Sequence, residues 1–509
     1  MRRAAAIVRG VPREAWAVGA ITIVGAILRM LFLGKQSLWN DEGYSAYVAL
    51  LPWHSLVEVM EPNMGLYYIM LHFWAWFGDS EFMLRLPSVI CSVATIPVLY
   101  SLGKRLFDWR LGIIAALLMA VHAFDIQYAQ EARSYSLVVL LITISSVYLL
   151  KGLERPTLAN WILYILASIL ALYAHLFAGL ILVAQWVFLL FSMYRTWSWR
   201  QLGVIGLALV ILSVPAVLLV FRAHSGRPQW IPQTSFRGVI LLFDNLAGSE
   251  PISPNIAGHC LAVLYLIGLL AGVVAFASAW FNRSRDAMAG YGFLLSGVLV
   301  PLILALAVSI IKPLIIARYF LVCLPFLILL TAAVITELRP RLLLLGMLVV
   351  FLSLESSQSY EYYVHSSKED WRDAVLYLLA NAQPGDAAIV VSGQRVYRYY
   401  RDRLDGKQAY PVGLSLRYLS GSPKPETGVA AQSRHTLDPE WLETVRCDYL
   451  RVWLIFRAPI TLREAREESR VSAALKPLYD RRKSIRQPYF AGVRVMLFSS
   501  SMPTLCPDE

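Results

Sequence analysis

The chain has 509 residues, of which 58% are apolar and only 16% are charged, and its mean hydropathy is +0.56. Soluble globular proteins carry more charge than this, so the composition excludes a soluble fold and indicates a polytopic membrane protein. The net charge of +12 does not indicate a nucleic-acid partner, because the basic residues are scattered through short loops and form no patch.

Apolar runs of about twenty residues recur along the first two thirds of the chain, and each is long enough to cross a bilayer as a helix. The first run has no small-residue cleavage site after it, so we expect an uncleaved anchor. We predict eleven spans, at residues 15–34, 84–103, 111–128, 134–151, 160–175, 176–194, 201–221, 257–280, 289–311, 319–337 and 342–359.

The charges of the loops predict the orientation. Arg and Lys dominate the loops on the side of the amino terminus, whereas Asp and Glu dominate the opposite loops. The positive-inside rule therefore places the amino terminus in the cytoplasm and the acidic loops outside. An odd number of spans puts the carboxyl terminus outside as well. A bacterial inner membrane is the predicted location.

Two outer loops contain apolar segments that are too short to span. The loop 35–84 holds the aromatic segment 65–77, and the segment 222–256 holds the apolar run 238–243. We predict that both are interfacial helices that lie along the membrane surface.

The long apolar runs of the sequence end at about residue 359. We therefore predict a catalytic transmembrane domain at 1–359 and an extracytoplasmic domain at 360–509. Alternating patterns predict a small α/β fold for the second domain. Its predicted helices are 368–382, 395–404 and 461–479, and its predicted strands are 387–392, 450–456 and 493–498.

Asp41 and Glu42 follow the first span by a few residues. A carboxylate at the headgroup level can take a proton from an attacking hydroxyl, as a general base does. Two adjacent acids can equally belong to an ordinary solvated turn, and the spacing alone does not decide between these interpretations.

A polar segment, Asp125 to Tyr135, interrupts the apolar sequence where the third span ends. Ionisable groups at such a depth usually line a cavity or pair with one another. Glu131 and Arg133 could therefore form a structural ion pair or take part in chemistry. A divalent cation (magnesium, manganese or calcium) shared by Asp41 and Glu131 is a further hypothesis, since such ions prefer oxygen ligands.

Several cations on the outer side could bind a phosphate: Lys35, Arg85, Arg222, Arg227, Lys312 and Arg318. Arg318 with Tyr319 is the strongest candidate, because it follows Lys312-Pro313 at the mouth of a span. His175 lies between two spans and is either a substrate ligand or a structural histidine. The chain has no Walker loop, no HExxH motif and no GxSxG motif, so nucleotide-driven transport, zinc proteolysis and serine hydrolysis have no support.

The motifs taken together resemble the GT-C glycosyltransferases, in particular the bacterial branch similar to protein O-mannosyltransferases and to lipid A aminoarabinose transferase. The matching residues are Trp39-Asn40-Asp41-Glu42, Leu66-Tyr67-Tyr68, Arg85-Leu86-Pro87-Ser88, Tyr128 to Tyr135, His175, Arg318-Tyr319 and Asp370-Trp371-Arg372. Asn63-Met64-Gly65 depart from the pattern, because the family often has two prolines before its Leu-Tyr-Tyr.

The resemblance implies an inverting transfer of a sugar from a polyprenyl-phosphate donor to an acceptor hydroxyl on the outer side. The acceptor would be a glycan, a lipid or a protein. By match, Asp41 is the base. The resulting site hypothesis assigns catalysis to Asp41, Glu42 and Glu131, and substrate binding to Arg85, Arg133, Tyr135, His175, Arg318 and Tyr319.

Two other functions stay open on the sequence. A transporter or flippase for lipid-linked sugars would share the cavity and cations, but it would favour charges at mid-span and helices broken at the midplane. A ligase that transfers a whole glycan from a lipid diphosphate would depend on arginine and histidine instead of Asp41.

Overall fold

The structure is a computed structural model that describes residues 12–192, 199–223, 234–248, 255–364, 368–383, 385–390, 393–404, 417–419, 450–458, 469, 481–485 and 491–499. These residues are mainly helical, with one sheet near the carboxyl terminus. The predicted class, a polytopic helical protein with a small α/β part, is confirmed.

The first half of the chain forms helices that are mostly apolar. They are α1 (Arg13–Met30), α2 (Asn40–Ala49), α3 (Trp53–Val59), α4 (Gly65–Trp74), α5 (Glu81–Leu106), α6 (Trp109–Val121), α7 (Ala123–Ala129), α8 (Tyr135–Glu154), α9 (Leu158–Ala174) and α10 (Ala178–Ser192). Short 3₁₀ helices occupy Pro62–Met64 and Ala75–Phe77.

The remaining helices are α11 (Trp199–Ala223), α12 (Phe236–Leu246), α13 (Ile256–Phe281), α14 (Arg285–Ser309), α15 (Leu324–Glu337), α16 (Arg341–Val364), α17 (Trp371–Asn381) and α18 (Gln394–Leu404), and a 3₁₀ helix covers Ala317–Cys323. Short polar side chains fix several starts. Asp108, Ser235 and Asn255 each accept a hydrogen bond from a backbone N–H in the first turn of the helix that follows, as N-caps do.

Each of the eleven predicted spans coincides with helical residues, but fewer elements are long and apolar enough to cross a membrane. In the described part of the chain seven helices meet both conditions, or eight if α6 and α7, which are bent by 58° relative to each other, count as one span. Helices α9 and α10 are apolar but shorter. Helix α1 carries three charges, at Arg13, Glu14 and Arg29.

The two predicted interfacial segments are helical, as α4 with the 3₁₀ turn after it and as α12. Trp76 and Phe77 at the end of the first segment are 75% and 76% exposed. Large exposed aromatic side chains suit the headgroup region of a membrane, so the interfacial placement stays a prediction with this support.

The chain divides into two compact units. Unit 1 comprises Met1–Leu33, Glu61–Met70 and Arg85–Ser366, and unit 2 comprises Gly34–Met60, Leu71–Leu84 and Ser367–Glu509. Unit 1 is helical. Unit 2 combines most of the first outer loop with the carboxyl-terminal α/β part.

Unit 2 contains a mixed five-stranded sheet of order β2-β1-β3-β5-β4. Its strands are β1 (Ala387–Val390), β2 (Arg417–Leu419), β3 (Arg451–Arg457), β4 (Arg481–Ile485) and β5 (Val493–Ser499). Strand β1 is parallel to β2 and to β3, whereas β5 is antiparallel to β3 and to β4. All of β1 and the middle of β3 are buried, as expected for central strands with continuous apolar sequences.

The predicted helices at 368–382 and 395–404 and all three predicted strands are confirmed. The predicted helix 461–479 lies outside the described residues except for residue 469. Strands β2 and β4 were not predicted. Both are edge strands. Strand β4 has the sequence RRKSI, and such charged residues are common at sheet edges. The apolar pattern that predicts a central strand is therefore missing.

Candidate functional site

Arg133 lies in the turn between α7 and α8, at the centre of a buried polar group in unit 1. Its Nη1 donates to Tyr68 Oη at 3.0 Å, and its Nη2 lies 3.6 Å from Glu61 Oε2. Tyr68 Oη donates to the same Glu61 oxygen at 3.2 Å. These contacts fix the plane of the guanidinium, because its N–H groups point in fixed directions.

The backbone around Arg133 is held as firmly as its side chain. The N–H of Arg133 donates to the carbonyl of Glu131 at 2.8 Å, and its own carbonyl accepts from Ser88 Oγ at 3.1 Å. The hydroxyls of Ser88 and Tyr67 are 2.9 Å apart. Glu131 is buried in this turn, with 4% of its surface exposed.

Three of the predicted residues, Tyr135, His175 and Tyr319, form a row of aromatic rings. The ring centroids are 5.8 Å apart for Tyr135 and His175 and 5.2 Å apart for His175 and Tyr319. The ring of Phe177 lies 4.6 Å from that of Tyr319. Apolar ring faces exclude water, so charges beside them act in a low dielectric.

His175 presents a hydrogen-bond donor to this group. Its Nδ1 accepts from the N–H of Phe177 at 3.2 Å, so the neutral ring carries its proton on Nε2. Nε2 is buried and makes no hydrogen bond to any described residue. The positive charges of Arg133 and Arg318 both act on this imidazole. A donor beside two guanidinium groups is suited to an anion such as a phosphate.

The other predicted phosphate binders differ in their surroundings. Arg85 is 1% exposed and donates to the carbonyl of Leu33 at 2.8 Å, in the turn that follows the first helix. Lys35 is exposed, and Lys312 is half-buried. Arg227 lies outside the described residues, and the side chain of Arg222 is not described.

Glu42 in unit 2 is fully buried and makes contacts that stabilise the local structure. Its Oε2 lies 3.2 Å from Lys368 Nζ and accepts from the N–H of Trp39 at 3.5 Å, at the start of α2. A buried carboxylate needs such a partner, because an unpaired charge is costly to bury. These contacts give Glu42 a part in the local structure, and its catalytic role stays a prediction.

Asp41 is half-buried in the first turn of α2. Its neighbour Glu369 accepts from the N–H of Asn40 at 3.0 Å. Burial raises the pKa of Glu369; the pairing with Arg457 opposes this shift, and the charge of Asp41 adds to it. Asp41 therefore lies beside a second carboxylate, that of Glu369.

Sequence reasoning missed three members of these groups. Glu61, Lys368 and Glu369 each contact a predicted residue or the backbone beside one. Glu61 and Glu369 stand among other acids with no distinctive spacing. Lys368 is far in sequence from its partner Glu42. Tyr68 was noted only as part of a motif.

Groups of three or more His, Cys, Asp or Glu side chains that could hold a metal do not occur in the described ranges. Asp41 and Glu131, the predicted cation ligands, belong to different units.

Comparison with known proteins identifies the fold. The model of the dolichyl-phosphate-mannose-protein mannosyltransferase family matches residues 61–221. The crystal structure of ArnT from Cupriavidus metallidurans in the apo state is similar with a TM-score of 0.61 and 13% identity, over 97% of this chain and 99% of that chain. The same protein bound to undecaprenyl phosphate gives a TM-score of 0.61 and 13% identity, over 96% and 99% of the two chains.

The archaeal oligosaccharyltransferase AglB from Archaeoglobus fulgidus, in complex with an inhibitory peptide and a dolichol-phosphate, has a TM-score of 0.50 and 13% identity, over 94% of this chain and 74% of that chain. Curated protein sequences include no match to the chain. The similarity to ArnT shows that the chain has the GT-C fold, and the family model covers less than half of the chain. The family match includes the turn that carries Glu131 and Arg133.

Proposed function

We propose that this chain is an inverting glycosyltransferase that moves a sugar from a polyprenyl phosphate to an acceptor hydroxyl on the outer side of a bacterial inner membrane. The observation that supports the proposal is the group formed by Arg133, His175 and Tyr319, which combines the charges of Arg133 and Arg318 with a buried donor on His175. It includes residues of the segment matched by a family named for a lipid-phosphate sugar donor. ArnT, whose fold this chain shares, binds undecaprenyl phosphate.

In the proposed reaction the acceptor oxygen attacks the anomeric carbon from the face opposite the phosphate. The bond between the anomeric carbon and the phosphate oxygen breaks, and the polyprenyl phosphate leaves with the electron pair. Asp41 takes the proton of the acceptor hydroxyl as general base. No covalent sugar-enzyme intermediate is needed, because a single displacement inverts the anomeric centre.

Each residue around the phosphate has a distinct proposed role. Arg318 and the Nε2–H of His175 bind the phosphate and stabilise the charge that develops on it. Arg133 orients the donor from its fixed position beside Tyr68. Tyr135 and Tyr319 provide ring faces for the sugar or the first isoprene unit. Glu131 supports the site, either directly or through a cation.

Donor use can be tested directly with purified protein in lipid vesicles. Undecaprenyl phosphate carrying radiolabelled mannose, glucose or aminoarabinose is supplied with lipid A, peptide and glycan acceptors. We expect one donor to release undecaprenyl phosphate with transfer of its label. Movement of an intact lipid-linked sugar across the vesicle membrane, with none of these donors cleaved, would contradict the proposal and favour the flippase function.

The cation hypothesis has its own test. If Asp41 and Glu131 share a divalent cation, EDTA should abolish turnover and added Mg²⁺ or Mn²⁺ should restore it. Full activity in EDTA would leave both carboxylates with roles that need no metal.

A further inference from the structure

The helix that leads into the candidate site is broken, and side chains of two other helices, α1 and α16, bind the backbone at the break. Helices α6 and α7 are separated only by His122, which has φ −62° and ψ 114°, and the two helices are bent by 58° at this point. A break leaves carbonyl and N–H groups without partners inside the helix. In a membrane protein neighbouring side chains have to bind them.

Arg29 of α1 binds the carbonyl side of the break. This fully buried guanidinium donates to the carbonyls of Met119 and Ala120, both at 2.8 Å. It also pairs with Asp125 Oδ2 of α7 at 2.6 Å. Ser92 accepts from Arg29 Nε at 2.5 Å and donates to the same Asp125 oxygen at 2.5 Å. The end of α6 and the start of α7 are thus tied to one side chain.

Glu355 of α16 binds the amide side of the break. Its Oε2 accepts from the N–H of Ala123, the first residue of α7, at 3.0 Å. Its Oε1 accepts from the hydroxyl of Tyr265 on α13 at 2.9 Å. The carboxylate is fully buried, so its hydrogen bonds are made without competition from water.

Helices α1 and α16 also hold the carboxyl-terminal end of α7. Gln130 is the residue after α7. Its Nε2 donates to the carbonyl of Arg29 in α1 at 3.0 Å and to that of Leu31, directly after α1, at 2.7 Å. Its Oε1 accepts from the hydroxyl of Tyr362 at 3.0 Å. Tyr362 lies about two helical turns after Glu355, on the same face of α16.

We propose that Arg29, Glu355 and Tyr362 are positioning residues that fix α7 at both ends and thereby hold Glu131 and Arg133 in the candidate site. The inference rests on the proposed function for its catalytic consequence. Glu131 directly follows Gln130 in the chain, so a shift of α7 moves the carboxylate with it. Small misplacements of reacting or binding groups reduce rates strongly.

The sharpest test removes one hydroxyl. In Tyr362→Phe the bond to Gln130 is lost, whereas Tyr363→Phe is the matched control, because the Tyr363 hydroxyl donates at 2.5 Å to Leu28 of α1 and not to α7. In full-length protein in nanodiscs we expect amide hydrogen exchange of residues 123–135 to rise about tenfold in Tyr362→Phe, as a lost hydrogen bond allows. The control should match wild type.

Kinetics provide the second readout, with the undecaprenyl-phosphate sugar that wild type uses. Tyr362→Phe should lower kcat about tenfold and change KM for the donor less than about twofold, because the geometry of the site is altered and not its composition. Tyr363→Phe should retain wild-type kcat. Glu355→Gln, which keeps an acceptor oxygen for Ala123, should retain more activity than Glu355→Leu.

Equal exchange in the two tyrosine variants, or equal loss of kcat in both, would overturn the proposal, since either result means that the bond to α7 has no special effect. If wild type uses none of the donors, the proposed function fails. The exchange comparison then still decides whether these residues hold α7.

Discussion

Arg133 contacts two acceptors that lie in different directions, the phenol oxygen of Tyr68 and the carboxylate of Glu61. The planar guanidinium can reach both at once, but a lysine ammonium acts as a single point charge. We therefore expect Arg133→Lys to lower kcat/KM for the lipid donor about tenfold or more, at unchanged folded yield. The exposed residue Arg155 provides the control, and Arg155→Lys should be silent. Wild-type kinetics in Arg133→Lys would show that only the charge matters.

At the residue scale the sequence predicted most of the group that the structure brings together. Tyr135, His175 and the half-buried Tyr319 form a row of rings, and the charge of Arg133 acts on His175; their roles in binding stay predictions. The partners of these residues were not predictable. Glu61 pairs with Arg133 across a separation of more than seventy residues, and a single acid in a polar loop gives no signal of such a pair.

Among the helices, α17 offers a test by pH. Asp370 is its N-cap and accepts from the N–H of Asp373 at 3.3 Å. Burial raises the pKa of Asp370 to about 6, from an ordinary value of 3.8, and the charge of Asp373 contributes to the shift. The folded state thus binds this proton more tightly than the unfolded state does, so the group's contribution to stability is lost as pH rises from about 4 to about 6.

Asp370→Asn keeps a good N-cap and removes the charge. We expect this variant to unfold at a higher temperature than wild type at pH 7.5, with the difference much smaller at pH 4, because Asp370 is then protonated in the folded wild type. Thermal unfolding of the full-length protein in detergent measures this. Asp402→Asn, on the surface of α18, is the control. A difference that is the same at both pH values would contradict the assigned pKa.

At the element scale the sequence predicted where helices and central strands lie, because apolar runs of different lengths distinguish them. It did not predict the break between α6 and α7, and residues 111–128 were expected to form a single span. No proline or glycine marks the break at His122. The break is instead stabilised by Arg29 and Glu355, which lie in distant parts of the sequence.

For the whole molecule, the charge distribution predicts a cytoplasmic amino terminus and a carboxyl-terminal part outside the membrane. A protease added to intact spheroplasts should remove an epitope tag from the carboxyl terminus and leave an amino-terminal tag intact. Lysed spheroplasts should lose both tags. Protection of the carboxyl-terminal tag in intact spheroplasts would reverse the orientation and place Asp41 on the cytoplasmic side.

The fold of the whole chain was predictable because the composition dictates a membrane protein and the motifs resemble one fold. The division into compact units was less accessible. Residues 34–60 and 71–84 group with the carboxyl-terminal part, although they lie hundreds of residues away in sequence. Contacts such as Lys368 with Glu42 create this grouping, and pairings at such separations leave no periodic pattern in a sequence.

The most direct test of the central claim compares Asp41→Asn with wild type in vesicles that contain the preferred undecaprenyl-phosphate sugar. Glu58→Gln, which changes an exposed acid in the same outer loop, is the matched control. The account predicts that Asp41→Asn binds the donor but transfers its sugar at least about a hundredfold more slowly, as the loss of a general base implies, while Glu58→Gln keeps wild-type transfer. Wild-type transfer by folded Asp41→Asn would contradict the account.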